Sequence, residues 1–134
     1  MNFELVIAGL ICVGLALGHT TLGVVWVLPS LTEERLPGTP FGRPSLTVAM
    51  LRVTWYIVTV FVLAVGGILF TLAWAPDADP KTVLLRWLAA MWLVATAMAF
   101  LVAARRVRSV RGLLRLPVPL LWIVVAVLCW MAST

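Results

Sequence analysis

The sequence predicts an all-α fold: a polytopic bundle of four transmembrane helices, forming a single membrane domain over residues 1–134. Composition is the first reason. Of the residues, 63% are hydrophobic and only 11% charged, with a mean hydropathy of +1.13, whereas soluble domains are about half apolar and a quarter charged. Patterning is the second. A hydrocarbon core about 30 Å thick takes about 20 apolar residues as helix, and four continuous apolar runs lie roughly at residues 4–28, 46–75, 82–104 and 117–133. Membrane strands would instead alternate in polarity over about 10 residues.

The first run follows "MNFE", which has no Lys or Arg. It is longer than a signal-peptide apolar region, so it reads as a permanent helix bracketed by Phe3 and Trp26. The connection after it is punctuated by Pro29, Pro37, Gly38, Pro40, Gly42 and Pro44, an irregular but stiff loop, with Glu33, Glu34 and Arg35 as solvated surface. Ser45, after Pro44, is the expected N-cap of the second helix. Trp55, Tyr56 and Trp74 bracket that helix, and Arg52 is expected to snorkel to the interface. Trp87 marks the outer end of the third helix. In the fourth, Pro117 and Pro119 occupy the first turn, where a missing N–H costs little, and Trp122 and Trp130 flank the span. Trp prefers the headgroup level, so the seven tryptophans read mostly as anchors.

Charge sets the expected orientation. Arg105, Arg106, Arg108, Arg111 and Arg115 crowd the third connection, whereas the second has Asp77 and Asp79 against Lys81. Beside membrane helices such a basic stripe is the positive-inside signal, set against an anionic inner leaflet, rather than a nucleic-acid footprint. With Arg35, Arg43 and Arg52 on the same side, eight of the ten Lys and Arg lie inside and two, Lys81 and Arg86, outside. The expectation is a multi-pass protein of the cytoplasmic (inner) membrane with both termini external.

Contact faces in lipid favour small residues, which let backbones approach. The first helix aligns Gly9, Cys12, Ala16, His19 and Gly23 on one stripe, the second Arg52, Tyr56, Thr59, Leu63 and Gly66, and the third Ala95, Ala99 and Ala103. Gly14 and Gly18 form a GxxxG on another face, a motif too common to define a dimer. His19, the only histidine, thus belongs to the bundle side. Counting about eight residues back from each inner interface brings His19 level with Tyr56 to Thr59. The candidate polar site is therefore His19, Arg52, Tyr56 and Thr59. A neutral imidazole has one donor and one acceptor, and Tyr56 or Thr59 complements either.

One His with Cys12 and Cys129 makes no metal-ligand spacing, and the two Cys read as buried free thiols. No metal or other cofactor is expected. There is no CxxC, GxSxG, HExxH or phosphate loop, and no acid between Leu5 and Thr32 to partner His19, so an enzyme is not expected. A small multidrug exporter would need a carboxylate within the first span; Glu4 stands only at its edge.

"GHTTLG" followed by "VLPSL", with "LRVTWY" in the second helix, resembles an uncharacterised group of small bacterial four-helix membrane proteins. In that group a Gly-His pair in the first helix is matched by an Arg and a Trp-His pair in the second. The resemblance covers the first half of the chain, and Tyr56 stands here at the second His position. It implies the four-helix fold and no activity.

The expected function is that of a non-enzymatic integral membrane protein acting through helix contacts, as a homo-oligomer or as an accessory subunit of a larger membrane complex. The other reading is a small-molecule or ion transporter or channel whose path is lined by His19, Tyr56 and Thr59. A path needs polar residues at several depths, yet the third helix offers only Thr96 and the fourth none between Pro119 and Cys129.

Overall fold

The computed structural model describes residues 1–36, 42–106 and 117–134; for 102–106 and 117 only the backbone course is described. The loop residues 37–41 and the topology arginines Arg108, Arg111 and Arg115 lie outside the described residues, as do the side chains of Arg105 and Arg106. Among the described residues the chain is helical. Helix α1 (Phe3–Leu22) runs on through a π-helical turn, Gly23–Val27, and one further α turn, Leu28–Ser30; a 3-10 turn follows at Glu33–Arg35. Then come α2 (Pro44–Trp74), α3 (Asp79–Arg106) and α4 (Pro117–Met131). Three spans, Phe3–Ser30, Pro44–Trp74 and Asp79–Leu101, are long and apolar enough to cross a membrane. The fourth apolar helix is shorter than its sequence run: 15 residues rise about 22 Å.

The second helix starts at Pro44, one residue before the expected cap. Proline is at home in a first turn, because its missing N–H would go unused there. The preceding carbonyl of Arg43 accepts from the N–H groups of Leu46 (3.0 Å) and Thr47 (3.4 Å).

The chain forms two compact units, residues 1–12 with 66–134, and residues 13–65. In the first, α3 packs along α4, and the buried positions repeat at helical spacing: Leu5, Ala8 and Cys12; Leu69 and Ala73; Leu85, Leu88, Ala89 and Trp92; Val125, Ala126 and Cys129. Ala95 and Ala99, expected to face the bundle, are half-buried beside Thr96, which is buried. Trp92 of α3 packs against Trp122 of α4. It is 3% exposed and tilts against Trp122 at 5.8 Å between ring centroids, so it is a packing residue and no interfacial anchor. Thr96 Oγ1 donates to the Trp92 carbonyl at 2.8 Å, with the Pro119 carbonyl at 3.5 Å. Near the other end of these helices the Arg86 guanidinium lies 5.9 Å from the centre of the Trp130 ring, within cation–π range.

Polar caps close the α2–α3 end of this unit. Asn2 Oδ1 accepts from Leu5 N–H at 3.1 Å, capping α1, and Asn2 N–H donates to Ala73 O at 2.8 Å. Lys81, 7% exposed, turns its ammonium onto the Ala75 carbonyl (3.1 Å) and the Asp77 carboxylate (2.8 Å). A cation there complements the negative end of α2. The Lys81 hydrogen bond and charge hold the Asp77 carboxyl below its usual value of 3.8. A carboxyl whose value is depressed on folding adds stability above its unfolded value and loses it as pH falls through the folded one. The stability difference between wild type and Asp77→Asn is therefore expected to be constant from about pH 7 to 5 and to be lost as the pH falls below the usual value of 3.8 and through the folded one. Thermal unfolding of both proteins across that range checks this.

In the second unit, residues 13–30 pack against residues 44–65. The buried stripe of α1, Cys12 and Ala16, continues through Gly23 to Leu28. The inward positions of α2 are Val48, Trp55, Thr59, Val62 and Val65, with Trp55 and Thr59 half-buried. This face is turned about 60° from the expected Arg52, Tyr56, Thr59, Leu63 and Gly66, of which Thr59 is kept and Gly66 is buried. Arg52, Tyr56 and Leu63 are exposed. Bulk decides the difference: the β-branched valines and the indole fill the interface, and the longer polar side chains are left at the rim.

Candidate functional site

The site is built where the end of α1 faces the first half of α2. Glycine makes it possible. A Cβ on Gly23 would overlap the Trp55 indole, first at Nε1 and at 2.6 Å from Cε2, so only glycine admits the ring at this point. The indole enters flat against the His19 imidazole, with ring centroids 4.1 Å apart and planes 7° from parallel. Its N–H donates to the His19 carbonyl at 3.1 Å. One residue thus holds the histidine by both its ring and its backbone.

Thr59, one turn beyond Trp55, collects the remaining polar groups. Its Oγ1 lies 3.3 Å from His19 Nδ1, accepts from Thr20 Oγ1 at 3.3 Å, and donates to the Trp55 carbonyl at 3.4 Å. A hydroxyl has one proton and two lone pairs. Against this one hydroxyl stand three partners, the Trp55 carbonyl, the Thr20 hydroxyl and the His19 imidazole, so its capacity is filled. All these bonds are long, hence individually weak; the stacked rings and the glycine seat fix the geometry.

Of the expected candidates, His19 and Thr59 are brought together. Tyr56, 49% exposed, is not the hydrogen-bond partner of His19 among the described residues. It shares with Arg52 a separate depression bounded by Val24, Leu28 and Pro29. Trp55 and Thr20 complete the cluster without having been expected there. The signal for Trp55 was present in the sequence: its four-residue spacing from Thr59 and a glycine on the facing helix. Its type, which favours interfaces, pointed elsewhere.

The π turn adjoins this site. Pro29 has no N–H to give the Val25 carbonyl, and its ring would clash there in α geometry. Leu28 N–H instead reaches back to Gly23 O, five residues away. No group of three or more His, Cys, Asp or Glu residues that could hold a metal ion occurs among the described residues. No protein-family model, curated protein or solved structure matches the chain.

Proposed function

We propose that this is a non-enzymatic integral membrane protein that acts through helix contacts, as a homo-oligomer or as an accessory subunit of a larger membrane complex. The observation that supports this reading is the closed hydrogen bonding at Thr59. Its hydroxyl is met by His19, Thr20 and Trp55, which is the economy of a helix-to-helix lock. A solute path would present such groups to water. Thr96, the polar residue of α3 at membrane depth, likewise donates back to its own helix. In this proposal all four helices cross the cytoplasmic membrane as one bundle, both termini are external, and the arginine segment meets anionic lipid at the inner leaflet.

His19→Leu is then expected to insert normally and lose about 0.6 kcal/mol, no more than about 2, since interhelical polar contacts in membranes have that size. A double-mutant cycle with Thr59→Val should return a coupling of that order. Unfolding of the four proteins in mixed micelles measures it, and co-purification from native membranes in mild detergent reports the partner. Abolished function in a fully stable His19→Leu protein would replace this reading with a transport or ligand role for the imidazole.

A further inference from the structure

We propose that Arg52 and Tyr56 bind the phosphate of an anionic phospholipid, whose first methylenes lie against Val24, Leu28 and Pro29. These five residues bound one open depression of about 240 Å³. Arg52 and Tyr56 stand four apart on α2, on one face. The guanidinium offers a planar fork of donors that matches phosphate oxygens, and the phenol O–H adds one more. Among the described residues neither side chain has an ion-pair or hydrogen-bond partner; the ion pair there is Lys81–Asp77. A cation at the edge of hydrocarbon is costly unless paired, and among the described residues no carboxylate pairs with Arg52. Its counter-charge therefore comes from outside the protein.

Depth identifies the source. From Arg52 to Trp74 the helix rises about 33 Å, close to the hydrocarbon thickness of about 30 Å. Trp74 is 63% exposed, as an interfacial anchor would be, which puts Arg52 at the opposite headgroup level. On the neighbouring span, Phe3 to Trp26 rises about 34 Å, so Leu28 and Pro29 come to the same level. A phosphate held there has acyl chains beneath it, and the apolar wall of Val24, Leu28 and Pro29 suits them. The inference rests on α2 crossing the membrane and is independent of whether the protein is an oligomer or an accessory subunit.

The test is native mass spectrometry of the purified full chain titrated with phosphatidylglycerol or phosphatidylcholine. Wild type should retain one more phosphatidylglycerol than Arg52→Gln, and that site should weaken about tenfold in the variant. Arg52→Lys should fall between, since charge remains but the fork is lost, and Tyr56→Phe should weaken binding about threefold. Arg86→Gln should leave this site unchanged. Lipid-free thermal stability should be the same in all variants, because Arg52 and Tyr56 are exposed. Equal phosphatidylglycerol binding in wild type and Arg52→Gln would overturn the proposal. Displacement of the lipid by millimolar inorganic phosphate would overturn its lipid assignment, since the acyl contacts would then contribute nothing.

Discussion

Gly23→Ala is expected to destabilise the protein by about 2–4 kcal/mol, through an overpacked site and the loss of the Trp55 contacts. The sign is the informative part. In a helix, alanine is favoured over glycine by about 1 kcal/mol, so propensity alone predicts a gain. Here the new methyl would enter the space of the indole. The ring cannot retreat cheaply, because one face is stacked on His19 and its N–H is bonded to the His19 carbonyl. In a Trp55→Ala background the same substitution should cost less than about 0.5 kcal/mol, because the obstacle is gone. Unfolding in mixed micelles measures both. An equal cost in the two backgrounds would place the need for glycine in the backbone of the π turn and remove the steric account.

Neutralising Arg105, Arg106, Arg108 and Arg111 together is expected to convert a single orientation into a mixture of two. Each arginine near an anionic leaflet contributes about 1 kcal/mol, so in the proposed frame the four would hold their segment inside by about 4 kcal/mol. Their loss leaves Arg35, Arg43, Arg52 and Arg115 against Lys81 and Arg86, a much weaker bias. A compartment-sensitive reporter fused after Thr134 should be active only externally in wild type and on both sides in the variant. A cytoplasmic C-terminus in wild type would reverse the proposed frame. Unchanged orientation in the variant would give the arginine segment a protein partner in place of lipid.

The helices and the buried side of α1 were readable in the sequence for a physical reason. Hydrocarbon imposes long apolar runs, and close helix approach demands small residues at helical spacing, which Gly9, Cys12, Ala16 and Gly23 display. His19 and Thr59 could be paired by depth, since helical rise is constant. The orientation of α2 about its own axis was not readable in the same way. A helix apolar nearly all round has little amphipathic signal, and the polar residues Arg52 and Tyr56 drew the contact face about 60° away from Val48, Trp55 and Val62. Trp92 was hidden for a related reason. Tryptophan is at home both at headgroups and between helices, and only its burial against Trp122 shows which applies. Pro29 announced a helix end; that the helix widens before it depends on which carbonyls can find a donor.

The wide turn at Gly23–Val27 changes how this chain tolerates insertion and deletion. An α-helix advances about 100° per residue, so a five-residue step would leave Leu28 about 140° out of phase with Gly23. The π turn absorbs that excess, and both are buried. One residue of the segment is therefore spare in phase terms. Deleting it would restore an ordinary α turn with the next leucine still facing inward only where Pro29 is replaced as well, since its ring clashes in that geometry, whereas a deletion between Cys12 and His19 would swing every later contact away from α2.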